Sequence, residues 1–164
     1  NPRPHSMKNL KSLLWLFSLI LVNTWAGSAQ TPPNDKAVIR ETIILFFEGF
    51  HERDEAKMQS VLDQQATFHS IDERGEVAQL GTIAVDQFLN AVVSRSETPE
   101  WEERLHDFTI EVDGTIAQTW VTYSFWLGGS FSHCGVDAFS LFKSGDQWKI
   151  SYLIDSRRKE PCDF

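Results

Sequence analysis

Asp137 is an acid set among aromatic and aliphatic residues in a run of strand-like alternation from Trp120 to Asp155. A carboxyl group in such surroundings is either held by partners or put to use. Reading Gly128-Gly129 and Ser144-Gly145-Asp146 as hairpin turns with a simple two-residue register brings Trp120, Asp137 and Tyr152 onto one sheet face. Trp126, Phe131, Phe139, Leu141, Trp148, Ile150 and Ile154 share that face. An unpaired charge buried there costs roughly several kcal/mol. In an apolar cavity the carboxyl pKa rises, and the acid becomes a neutral hydrogen-bond donor. The structural alternative is a carboxylate held by the Tyr152 hydroxyl and the Trp120 indole N–H, polar groups that need partners of their own when buried.

Two further residues carry acid-base chemistry. His133 shares the Asp137 face but stands four residues away, roughly 13 Å by strand rise, which excludes a direct dyad. It meets a ligand at a pocket mouth or caps a polar rim. Glu103 is expected across from Ser124, as Trp101 is from Trp126, which makes it the acid able to pair with His133 across the intervening strand. Trp101, Trp120 and Trp126 either line a pocket or fill the core. His69, next to Ser70, points away from the site if Ser70 points in. Arg157 and Arg158 close the last strand, where they are solvated, pair with Asp155 or anchor an anionic ligand. No Ser/His/Asp order, Gly-rich phosphate loop or metal-ligand spacing stands out, so neither a cofactor nor a metal is expected.

The elements that must position these residues follow from periodicity. Helical spacing runs from Asp35, a possible cap, to Glu52, and again from Glu55 to Leu62 and from Ile83 to Val93. Strands are expected at Ala66 to Ile71, Glu76 to Leu80, Glu102 to Val112, Thr115 to Leu127, Ser130 to Phe142 and Gln147 to Ser156. Helices first and a long meander last imply an α+β domain with helices over one sheet face. The other face, carrying Val121, Tyr123, Phe125, Val136, Ala138 and Phe142, then forms a homodimer. Cys134 falls on that outer face, and Cys162 lies in a tail able to return over it, so the two thiols either bridge or stay free.

Composition sets the remaining bounds. In the chain of 164 residues, Met7, Lys8 and Lys11 precede the apolar run Leu13 to Val22, followed by the small residues Ala26 to Ala29. This reads as a secretory signal peptide cut after Ala29, giving residues 1–29 as leader and upstream sequence and 30–164 as one domain, secreted or periplasmic. The apolar run is about ten residues, short of the roughly 20 of a membrane span. The formal net charge of -8 argues against nucleic acid or an anionic membrane as partner.

The order of elements and the phrases FFEGFHERDEAKMQSVLDQQATF, IEVDGTIAQTWVTYSF and GDQWKISYLIDS resemble the nuclear transport factor 2-like superfamily, also called SnoaL-like or ketosteroid isomerase-like. EWEE, FSHCGVDAFSLFKSGDQWKI and DSRR with Cys162 resemble a secreted bacterial subgroup near the lumazine-binding proteins. The resemblance implies a cone-shaped, cystatin-like fold in which three helices pack on a curved, mostly antiparallel sheet around a pocket. It also places Asp137 where ketosteroid isomerases carry the carboxylic acid of their oxyanion hole. Phe46 stands where they have a tyrosine, and Ser70 where they have the general-base aspartate, so steroid isomerisation is not implied. The leading expectation is an exported domain that binds a small apolar or aromatic molecule in a pocket around Asp137, lined by Trp101, Trp120, Trp126, Tyr152, Phe139 and Ser70. The alternatives are a cofactor-free isomerase, lyase or cyclase using Asp137 with His133 or Glu103, and a homodimeric interaction module.

Overall fold

The computed structural model describes residues 34–162; the expected signal peptide lies outside them. Helix α1 (Asp35–Glu52) buries Ile39, Ile43, Phe46, Phe47 and Phe50 along one side. Its cap is Asn34, whose side chain accepts from the Lys36 N–H at 3.0 Å. Asp35, expected as the cap, instead accepts from Lys143 Nζ at 2.8 Å and Trp148 Nε1 at 3.1 Å, which ties the helix start to the last hairpin. Helix α2 (Glu55–Val61) is capped by Asp54. Strands β1 (Leu62–Asp72) and β2 (Gln79–Ala84) follow, then α3 (Val85–Ser94) and four long strands. These are β3 (Trp101–Asp113), β4 (Ile116–Leu127), β5 (Ser130–Ser144) and β6 (Gln147–Arg157).

The strands form one sheet in the order β2-β1-β6-β5-β4-β3, antiparallel except for the β1–β6 pair. The α+β expectation is met: the buried side chains of the helices join Phe68, Val121, Phe139, Leu141, Trp148 and Ile150 in a single core on one sheet face. Boundaries move most at the start. β1 begins at Leu62 directly after α2, and β2 begins at Gln79 rather than Glu76.

Side-chain facing in the meander departs from the simple register because β3, β5 and β6 carry bulges. Ser132 is an extra residue between the pairs Phe125↔His133 and Trp126↔Phe131. Ser151 is extra between Ser140↔Tyr152 and Leu141↔Ile150, and β3 gains one residue between Leu105 and Phe108. One inserted residue turns every later side chain to the opposite face and bends the strand. Asp137 therefore lies between Val121 and Asp155, not between Trp120 and Tyr152.

The consequences for the expected faces are direct. Val121 and Tyr123 are buried in the core side and Phe125 packs against it, so these three are not part of an outer dimer surface. Trp120 points outward and is 56% exposed. Tyr152 sits opposite Ser140 and Thr67 and packs on the His69 ring, centroids 5.3 Å apart. Trp126 and Phe131 meet edge to face, with the Arg104 guanidinium 4.4 Å from the Trp126 centroid.

Candidate functional site

Between the helices and the sheet lies a cavity of about 490 Å³. Its apolar walls come from both layers: Phe46, Phe47 and Phe50 on α1, Phe88 on α3, and Trp101 and Phe125 on the sheet. The rings brace one another. Phe50 and Phe88 are stacked at 6.2 Å, and Trp101 meets Phe50 and Phe125 at 6.0 Å each.

Asp137, Glu103, Asp155, His133 and Tyr123 are titratable groups of the sheet wall, with Arg74 and Arg157 alongside. Asp137 is 1% exposed, and its buried Oδ2 receives no hydrogen bond. Burial raises its pKa well above the usual carboxylate range, and the charges of Glu103 and Asp155 push the same way. Once protonated, Asp137 has a neighbouring acceptor in the Glu103 carboxyl, and that hydrogen bond keeps the proton on Asp137. Glu103 is pushed up to about 7, chiefly by burial and further by Asp155, while the bond from Asp137 and the charge of Arg157 pull it back. The two acids titrate together, with the proton favoured on Asp137.

Their exposures differ. Both line the cavity, Asp137 as a buried side chain and Glu103 as a half-buried one whose exposure is toward that opening. Glu103 is held from the far side, because its backbone N–H donates to His51 Nε2 at 2.9 Å. That bond fixes the proton of a neutral His51 on Nδ1, and burial lowers the His51 pKa in keeping with this tautomer.

Glu103 and His133 flank Phe125 in one row across β3, β4 and β5. His133 stacks on Phe125, centroids 4.9 Å apart, and its Nδ1 pairs with Ser132 Oγ at 3.0 Å. Burial first, then Arg157 and Arg74, lower its pKa to about 4, so it is neutral at physiological pH. Tyr123 donates to the Ser156 carbonyl at 2.9 Å. Beside it, position 135 admits only glycine, since a β-carbon built there collides with the Ser156 carbonyl oxygen.

At the mouth, Arg157 donates through Nε to Asp155 Oδ2 at 2.6 Å, and Ser70 Oγ donates to the same oxygen at 3.2 Å. Phe139 is fully buried beneath the cavity in contact with Phe46 and Phe47. Thus the structure gathers Asp137, Glu103, His133 and Trp101 on the cavity, seats Ser70 one contact back, and leaves Trp120, Trp126 and Tyr152 on the outer face. The sequence reading missed Arg74, His51 and the α1 phenylalanines as site residues. Helical periodicity marked those phenylalanines as core, and nothing in a turn sequence shows where Arg74 points.

A family model described as "Putative lumazine-binding" matches residues 34–152. Solved structures share the fold at low identity. A nuclear transport factor 2-like protein of unknown function from Shewanella baltica is 18% identical with a TM-score of 0.58, covering 80% of this chain and 98% of its own. One from Cytophaga hutchinsonii is 11% identical with a TM-score of 0.63, covering 76% and 99%. A "putative dehydratase" from Streptomyces avermitilis is 17% identical with a TM-score of 0.57, covering 77% and 98%. No curated protein matches the chain. With the family match spanning most of its length, the chain belongs to the "Putative lumazine-binding" family, and its fold is that of the nuclear transport factor 2-like proteins.

Proposed function

We propose that this is an exported domain that binds a small planar heterocycle in the cavity, with Glu103 as its polar contact. The observation that carries the reading is the cavity itself, whose otherwise aromatic wall holds the carboxyls of Glu103 and Asp137. Rings supply flat apolar surface, and a few placed polar groups then set orientation. Glu103 accepts when ionised and donates when protonated, which suits the adjacent N–H and C=O groups of a lactam edge. Lumazine has such an edge, and the family description names it. The Cys134–Cys162 disulfide supports export, since such bonds persist in oxidising compartments.

Titrating lumazine into the protein, followed by its fluorescence, tests the reading. Glu103→Ala should weaken binding about tenfold or more, the usual effect of losing a hydrogen bond to a charged group. Glu103→Gln, which keeps an acceptor and a donor, should lose less. Equal affinity in wild type and Glu103→Ala would remove Glu103 from the contact.

A second reading is supported by Glu103, pushed up to about 7, and a neutral His133 facing the same cavity on either side of Phe125, two groups able to hold and release protons. The cavity then serves a cofactor-free isomerase, lyase or cyclase. Turnover that survives Glu103→Gln unchanged would exclude this form of it.

A further inference from the structure

Two guanidinium groups from distant parts of the chain meet at the cavity mouth. Arg74 lies in the β1–β2 connection and Arg157 at the end of β6, yet both line the cavity. Their proximity is built into the backbone: Asp72 pairs with Arg157 in the parallel β1–β6 ladder, and the Glu73 N–H donates to the Arg157 carbonyl at 2.9 Å. Placing like charges together is unfavourable without compensation.

Each guanidinium is oriented by its own carboxylate. Arg74 donates to Asp72 through Nε at 2.8 Å and Nη2 at 2.6 Å, and Arg157 donates to Asp155 through Nε at 2.6 Å and Nη2 at 3.4 Å. In both, Nη1 makes no hydrogen bond among the described residues. Both side chains remain part-exposed, at 37% for Arg74 and 42% for Arg157. Fixing Nε and Nη2 locks the plane of the fork, which leaves the two Nη1 groups as oriented donors at one opening. Ser132 and His133 line the same cavity, and both guanidiniums lie close enough to depress the His133 pKa. Arg74 and Arg157 thus stand at the mouth with their carboxylates Asp72 and Asp155, and the charge of Arg157 reaches Glu103 and Asp137 on the aromatic wall. A bicyclic ring fills only part of about 490 Å³, so there is room for a substituent to reach from the wall to the mouth.

We propose that the ligand carries an anionic substituent, a carboxylate or phosphate, that is received by Arg74 and Arg157 while its ring lies on the aromatic wall. The inference rests on the heterocycle-binding reading above and adds the charge and the polarity of the bound molecule. It also explains why two arginines converge on an opening in an acidic protein.

The test compares pterin with 6-carboxypterin, two fluorescent probes that share a ring and differ by one carboxylate. At low salt 6-carboxypterin should bind about ten- to hundredfold tighter, the range expected for charge-assisted hydrogen bonds. That preference should shrink as salt is raised and fall to about onefold in Arg157→Gln. Arg74→Gln, in an exposed connection where folding is at little risk, should also lose most of it. Equal binding of the two probes, or a preference that survives both substitutions, overturns the anionic subsite and leaves the cavity reading standing. If neither probe binds, the heterocycle reading fails, and inorganic phosphate then judges the mouth alone. Phosphate should shift the amide resonances of residues 74 and 157 in wild type and not in Arg157→Gln, and unshifted resonances overturn the subsite.

Discussion

Replacing Asp137 by asparagine should raise stability above wild type by about 1 to 2 kcal/mol at pH 5 and by more at pH 8. The sign follows from where the protons are. Burial and the neighbouring acids Glu103 and Asp155 raise the Asp137 pKa, so the folded state keeps a proton that the unfolded chain releases near its ordinary value of 3.8. Stability contributed by a group with a raised folded pKa is complete below the unfolded pKa. It declines as pH climbs toward the folded one, by up to about 1.4 kcal/mol per pH unit for one proton. Asparagine has the same shape, donates to the Glu103 carboxylate through its amide, and has no proton to lose. Glu103, raised to about 7, adds a decline of the same sign in wild type between its ordinary 4.5 and neutrality.

His133 works the other way. Its pKa is lowered to about 4 by burial and by Arg157 and Arg74, so the unfolded state binds the extra proton between pH 4 and 6.5 and stability rises with pH there. Both proteins carry His133, and its contribution cancels in their difference. Urea unfolding of the two proteins from pH 5 to pH 8 should therefore give curves that diverge in favour of the variant as pH rises, by about 1 kcal/mol per unit. Parallel curves would mean that Asp137 is ionised in the folded protein, and the protonated-acid account of the site would be lost with it.

The parts of this arrangement that the sequence made legible are those governed by local rules. Turn glycines at 128, 129 and 145 take positive φ, and the hairpins they mark are present. Helical spacing found α1 and α3, and alternation found the long strands. Asp137, Phe139 and Leu141 were assigned to the core side correctly because no bulge separates them. Facing failed between strands. A serine at 132 and another at 151 each enter the ladder as an unpaired residue, and nothing in their composition distinguishes them from ordinary strand serines. Reversed facing moved Trp120, Trp126 and Tyr152 out of the site and brought Tyr123 and Phe125 in. Glu103 reached the cavity side because β3 bulges as well, beyond it at His106-Asp107. The acid pair is the least legible feature, since Glu103 pairs with Phe125 and Asp137 with Val121, a relation set by the bulged registers of β3 and β5.

Reduction of the Cys134–Cys162 disulfide should cost the domain roughly 3 to 4 kcal/mol. The Cα atoms stand 5.9 Å apart, and the bond closes a span of 28 residues, for which the chain-entropy argument gives that magnitude. Local geometry extends the effect beyond the unfolded state. Cys134 and Arg158 exchange backbone hydrogen bonds of 2.8 and 2.9 Å in an isolated bridge just past β6, and Arg158 Nε donates to the Pro161 carbonyl at 2.8 Å. The disulfide therefore clamps the segment that carries Asp155 and Arg157 to the strand that carries His133 and Asp137. Cys162→Ala, at the half-buried end, removes the bond without opening a hole at the buried Cys134. Urea unfolding should place Cys162→Ala and reduced wild type together, both well below oxidised wild type, with hydrogen exchange at residues 157 and 158 rising in both. Coincident unfolding curves for oxidised and reduced wild type would show that the bond contributes nothing. Unaltered exchange at 157 and 158 would confine its effect to the unfolded chain and leave the cavity mouth held by the Asp155, Ser70 and Arg157 contacts alone.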